Sequence, residues 1–148
     1  MLKKHHVPQE FDLLSIDIDG NDYWIWQQIL TEFKPQVVII EYNQLIKDDS
    51  VQPYVSDYVC NNAKSGASLT ALYELGRKLG YSLVYKDFFD DNLIFIRDNI
   101  IKSNNLHFKN INNIDAWKKY SNNRMMKTLK KKSFLKKTMK LINQVFKG

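Results

Sequence analysis

An α/β fold with parallel strands is what this sequence predicts, and three stretches predict it. Residues 36–42, Gln-Val-Val-Ile-Ile-Glu-Tyr, hold four consecutive β-branched residues followed by an acid, the composition of a buried strand. Residues 13–18, Leu-Leu-Ser-Ile-Asp-Ile, are a second run of strand length, too apolar for a half-exposed strand and therefore expected to be covered on both faces. Between them Trp26, Ile29, Leu30 and Phe33 fall at i, i+3, i+4 and i+7, one face of a helix. Strand, helix and strand in this order form a βαβ unit, whose crossover is right-handed and whose strands lie parallel.

The remaining elements follow in chain order. Residues 1–10 read as a lead-in, with Pro8 keeping Val7 out of helical geometry. Asp22 is placed to cap the first helix and Pro35 to end it. Residues 43–67 are polar, contain Pro53 and Gly66, and have no sustained period; a loop of that length in a compact domain is usually functional. Leu69, Leu72, Leu75 and Leu79 return to helical spacing, with Ser68 as cap and Gly80 as stop. Residues 81–85 and 92–96 are strands joined by a turn-rich segment, hence an antiparallel hairpin that closes the sheet. Residues 99–123 read as an Asn-rich linker with a turn of helix and a short amphipathic piece around Trp117 and Tyr120. Residues 124–148 read as a basic amphipathic helix, with Leu135, Met139, Ile142 and Phe146 on one side. The expected division is thus an α/β domain at 1–98, a linker at 99–123 and a basic helix at 124–148.

With 148 residues, 44% hydrophobic and 13% aromatic, the chain has the composition of one globular domain. Its net charge of +6 is unevenly placed: 124–148 carry nine Lys or Arg and no acid, while the rest holds 13 basic and 16 acidic groups. A mildly acidic body thus bears a basic tail. Such a tail suits an anionic membrane surface or a partner; without aromatic interleaving it does not suit nucleic acid. The single Cys60 forms no internal disulfide, and no window is long and apolar enough for a signal core or a membrane span, so a cytoplasmic setting is expected, peripheral to the membrane if the tail binds there.

The chemistry concentrates where the first strand runs into the helix. In an open parallel sheet, ligands bind beyond the carboxyl ends of the strands. That selects Asp17 and Asp19 after the first strand and Glu41 after the second. If the first strand persists, Asp17 and Asp19 point to one face about 7 Å apart, with Glu41 one strand spacing, about 5 Å, away. Carboxylates so close bind a cation, share a proton or pair with basic groups. His5 and His6 read as solvated, and Trp24 and Trp26 as core or interface.

Residues 11–24, Phe-Asp-Leu-Leu-Ser-Ile-Asp-Ile-Asp-Gly-Asn-Asp-Tyr-Trp, then Pro-Gln-Val-Val-Ile-Ile-Glu-Tyr-Asn at 35–43, Gly-Ala-Ser-Leu at 66–69 and Gly-Tyr-Ser-Leu-Val at 80–84, resemble the second half of an FkbM-like S-adenosylmethionine-dependent methyltransferase over about residues 8 to 98. The resemblance implies a partial Rossmann-like methyltransferase sheet in which 13–18 is the fourth of seven strands, 36–42 the fifth, and the last two the antiparallel closing pair. It implies Asp17, Asp19, Glu41 and Asn43 as catalytic candidates facing a sugar or small-molecule hydroxyl. It also implies Asp17, Gly20 and Tyr23 toward the methyl donor, and Asp17, Asp19 and Glu41 as ligands if magnesium is used. The family's glycine-rich donor loop and ribose-binding acid lie upstream of the matched part. Only about ten residues precede Phe11, none of them glycine. The expectation is therefore a truncated or split enzyme, weak or inactive alone, that needs an upstream-half partner or a second copy along the exposed edge of its first strand.

Two other readings compete. Ile16-Asp17-Ile18-Asp19-Gly20 also resembles the strand end of a haloacid-dehalogenase-like phosphatase, which would make Asp17 the nucleophile, Asp19 the acid, and Lys86, Asp90 and Asp91 the later lysine and magnesium acids. Asn21 stands where that pattern usually has threonine. The non-enzymatic reading is a binding module that works through the basic tail.

Overall fold

The computed structural model describes residues 2–46, 48–54, 65–87, 91–109, 111 and 113–120, with side chains omitted at 119 and 120. The basic tail at 124–148, Cys60 and Asp90 lie outside the described residues. After a 3₁₀ turn at Leu2–His5 come β1 (Glu10–Ile16), α1 (Asp22–Ile29), β2 (Lys34–Glu41), α2 (Leu69–Lys78), β3 (Tyr81–Lys86), β4 (Asn92–Arg97), α3 (Asp98–Ser103) and α4 (Ile114–Tyr120). The strands form one mixed sheet in the order β1-β2-β4-β3. β1 and β2 are parallel, in a register that sets Leu14 beside Val38 and Ile16 beside Ile40. β4 runs antiparallel to both β2 and β3. The expected parallel pair and closing hairpin are both present, and the hairpin's second strand inserts between β2 and β3.

Alternation along the strands divides the apolar side chains between two cores. Val38 and Ile40 of β2, Leu93 and Phe95 of β4, and Leu83 of β3 face one side, where Trp26 of α1, Leu72 and Leu75 of α2 and Trp117 of α4 cover them. Val37, Ile94, Ile96 and Val84 face the other side, against Ile100, Ile101, Leu106, Phe108 and Ile111. Burial of each such side chain contributes about 1.5–3 kcal/mol, so β2 and β4, apolar on both faces, form the centre of the sheet. The asparagine-rich segment expected to be a linker therefore carries α3 and supplies the second core, because its Ile, Leu and Phe residues recur between the asparagines.

β1 is a correction. It was expected to be covered on both faces, but it is an edge strand with Leu13 43% exposed and Ser15 exposed; only Leu14 and Ile16 turn into the main core. It also ends at Ile16, so Asp17 and Ile18 leave the sheet. Its start is tied across β2 by Arg97 of β4, whose two terminal nitrogens donate to the two carboxylate oxygens of Glu10 at 3.2 Å each. That pairing holds the Glu10 carboxyl below its usual range. Pro35 does not end the helix, which stops at Ile29; it lies buried in β2 beside Phe11. Pairing of β2 with β4 begins only at Val37, so the missing proline N–H interrupts no ladder on that side.

Two glycines act for different reasons. The C-terminal stop at Gly80 has φ +81, with open space where a Cβ would go. At Gly76, inside α2, a Cβ would lie 2.6 Å from the Phe95 ring and 3.1 Å from Trp26, both fully buried. The helix approaches the sheet this closely only because that side chain is absent. Gly76→Ala is expected to lower stability in chemical denaturation, because overpacking of about 1–3 kcal/mol outweighs a helix-propensity gain of at most about 1 kcal/mol. The double variant with Phe95→Leu should recover part of the loss relative to Phe95→Leu alone.

Candidate functional site

Because β1 and β2 are parallel, both deliver their C-terminal ends to the same edge. Ile16 pairs with Ile40, so the next residues, Asp17 just past the end of β1 and Glu41 at the last position of β2, come side by side at the sheet's edge. The chain then reverses at Asp19, whose φ of +57 is a left-handed conformation tolerated by a short polar side chain. The reversal is held from behind. The Asp22 carboxylate accepts the N–H of Gly20 at 2.9 Å and that of Ile18 at 3.1 Å. The expected cap role of Asp22 is thus corrected: Asn21 occupies the N-cap, no side chain caps α1 there, and Asp22, only 2% exposed, closes the turn that precedes the helix. Burial raises the Asp22 pKa, against the pull of the backbone N–H groups of Gly20, Ile18 and Asp22 itself.

This turn brings the expected acids together even though the strand does not persist. One carboxylate oxygen from each of Asp17, Asp19 and Glu41 lies within 4.8 Å of the others; Asp17 and Asp19 are exposed and Glu41 is half-buried. Burial first, then the charges of Asp17, Asp22, Asp19 and Asp91, push the Glu41 carboxyl up to about 7. Among the described residues the charges that act on it are acids, and a carboxyl with a pKa of about 7 exchanges a proton readily near neutrality. Three hard oxygen donors suit magnesium in kind. Their mutual separations, all within 4.8 Å, are comparable with the roughly 4.2 Å between opposite oxygens of an octahedral magnesium.

Glu41 opens into a cleft of about 210 Å³ lined by Asp19, Asp22, Asn43, Gly66 and Asp91 among others. Its far wall is the long loop after β2, tied down by several hydrogen bonds. The Asn43 side chain donates to the Ser65 carbonyl at 2.8 Å and accepts from the Leu45 N–H at 2.9 Å, and the Asn43 N–H donates to the Ala67 carbonyl at 2.8 Å. The Gln52 N–H reaches the Gly66 carbonyl at 2.8 Å, and the Trp24 indole N–H reaches the Gln52 carbonyl at 2.8 Å, which fastens the loop to α1. Gly66, with φ +87, backs onto Gly20: a Cβ there would lie 3.9 Å from the Gly20 Cα. That distance is an ordinary contact, so it is the positive φ of Gly66, not a lack of space, that favours glycine there.

The predicted residues are unequally placed. Asp19, Gly20, Glu41 and Asn43 line the cleft, although Asn43 spends its side-chain amide on the loop. Asp17 joins the acidic cluster from outside the lining. Tyr23 turns the other way, edge-on against Trp24 at 5.0 Å and packed on the main core. Lys86, assigned a role only in the phosphatase reading, is buried at the end of β3 with its ammonium 5.9 Å from the centre of the Tyr42 ring. No signal in the sequence announced that contact, which joins the end of β3 to the residue after β2 although these strands are not neighbours in the sheet. Among the described residues no helix is long and apolar enough to cross a membrane.

Comparisons with family models, with curated proteins and with solved structures return no match.

Glu41 should titrate near pH 7 when followed by carboxyl carbon resonances, and Asp17→Asn should move that midpoint down by removing one of the like charges. The linked stability has a definite sign. A folded-state pKa above the ordinary 4.5 means that the native state holds the proton longer, so stability falls as pH rises from about 4.5 through about 7. Glu41→Gln is expected to raise the denaturation midpoint at pH 8 and to leave it nearly unchanged at pH 4.5.

Proposed function

We propose that this chain forms the acceptor side of an S-adenosylmethionine-dependent methyltransferase-like fold, in which the cleft takes a small hydroxylated molecule and Glu41 receives the hydroxyl proton. The observation that carries the proposal is Glu41 itself: a half-buried carboxyl at the end of a parallel strand, facing a cleft, with a pKa near 7. A general base works best when its pKa lies near the working pH. Support also comes from the sheet, with β1 and β2 parallel and adjacent and β3 and β4 as an antiparallel pair, and from the run of residues at 11–24.

In this reading the carboxylates of Asp19 and Glu41 accept hydrogen bonds from the acceptor's hydroxyls, which orients the reactive oxygen. Glu41 would take the proton of that hydroxyl, which leaves its oxygen ready to act as a nucleophile. The donor supplies the electrophilic methyl group on a sulfonium sulfur. The described residues hold no glycine-rich loop to grip its methionine end, so donor-binding elements are supplied from outside them and the chain alone is weak or inactive. Magnesium, if bound by Asp17, Asp19 and Glu41, would neutralise the cluster and lower the Glu41 pKa.

A second reading is favoured by one observation, the convergence of Asp17 and Asp19 immediately after a strand. It is the magnesium-dependent phosphatase, with Asp17 attacking phosphorus. Hydrolysis of an aryl phosphate that requires magnesium and is abolished by Asp17→Asn would establish it in place of the first.

For the methyltransferase-like reading, amide resonances of the labelled chain titrated with simple polyols and sugars should shift at Gly20, Glu41 and Gly66, and Glu41→Gln should weaken the response. Calorimetry with S-adenosylmethionine should show no tight one-to-one binding by this chain alone. Tight binding would overturn the division into acceptor and donor sides, and a panel without shifts at the cleft would overturn the acceptor site.

A further inference from the structure

We propose that the outer edge of β1 is a self-association surface, on which a second copy of this chain pairs antiparallel about a two-fold axis at Leu13. The inference stands apart from the methyl-transfer reading.

Among the described residues β1 pairs only with β2, so one side of a seven-residue strand presents its backbone groups outward from the described sheet. Natural sheets blunt such an edge with proline, lysine, a bulge or a short strand. The opposite edge of this sheet is blunted: β3 has an irregularity between Leu83 and Tyr85. Within β1 there is no proline, no lysine and no break in its register with β2. Among the described residues the exposed large apolar side chains are Leu13, Ile18, Leu45 and Tyr54, and two of these four lie on β1 or just past it.

Charge selects the occupant and its direction. In the N-terminal half of β1 and beside it are Lys3, Lys4, Lys34 and Arg97 against Glu10, Asp12 and Glu32, with Lys3 paired to Glu32 and Arg97 to Glu10, which leaves this end with a small positive excess among these groups. At the C-terminal end are Asp17, Asp19 and Glu41. A second copy laid antiparallel sets the acidic end of each strand beside the basic end of the other, twice over. A parallel copy would set acid on acid. The antiparallel register centred on Leu13 also places Leu13 against Leu13 of the second copy, and Glu10 and Asp12 opposite the apolar Ile16 and Leu14 rather than opposite each other. Such an interface is isologous and closes at two copies. The result is one continuous eight-stranded sheet, twice the four strands of a single copy.

The test uses the intact chain. Light scattering coupled to size exclusion at micromolar concentration should give twice the chain mass, and Leu13→Lys, which sets two ammonium groups on the axis, should weaken the dimer by at least about tenfold. In a Cys60→Ser background, Leu13→Cys should cross-link to a dimer on mild oxidation, whereas Ser15→Cys should not, because it faces Phe11 of the other copy. Circular dichroism on each variant verifies that the fold persists. A monomer at all concentrations, a dimer indifferent to Leu13→Lys, or cross-linking at Ser15 equal to that at Leu13 would each overturn the proposal. A donor-binding strand from another chain that occupied this edge would appear as the first of these outcomes.

Discussion

The site depends on one buried carboxylate. Asp22 opens α1, but its two oxygens are committed backward to the N–H groups of Ile18 and Gly20. Each hydrogen bond to a charged group is worth about 1.5–3 kcal/mol, which offsets part of the desolvation cost of the buried carboxylate; burial still outweighs them, as the raised Asp22 pKa shows. With the turn so held, the chain reverses at Asp19 within three residues of the strand end, and Gly20 comes to rest against Gly66. Strand register, loop contact and acid convergence all follow from that reversal.

The electrostatic result is a cleft whose nearby charges are carboxylates, with one of them held near neutrality. Glu41 is raised mainly by burial and then by its acidic neighbours, so its protonation and the occupancy of the cleft are coupled. A cation in the cleft would drive the proton off. A hydroxyl that donates a hydrogen bond would find a carboxylate ready to take its proton. The same geometry thus suits both proton transfer and hydroxyl recognition.

Much of this was legible in the sequence where a single physical signal dominated. The β-branched run of β2, the leucine spacing of α2 with its Ser68 cap, and the hairpin spacing of β3 and β4 each had one local cause, and each element formed as expected. The meeting of Asp17, Asp19 and Glu41 was legible because parallel strands end on the same edge. What was not legible arose between elements. Nothing local places β4 between β2 and β3, and nothing in an apolar run tells a central strand from an edge strand, so β1 was expected to be more covered than it is. Asp22 was misassigned because an aspartate at a helix start satisfies cap and turn patterns alike, and only burial separates them. Asparagines masked the apolar residues of 99–113, which proved to supply the second core.

The central claim, that the Asp22 carboxylate holds the acidic edge in place, is tested most directly by hydrogen exchange at single amides in the wild-type chain and in Asp22→Ala. Protection at Ile18 and Gly20 should collapse in the variant while Val38 and Ile40, deep in the sheet, remain protected. Unchanged protection at Ile18 and Gly20 without the carboxylate would contradict the account.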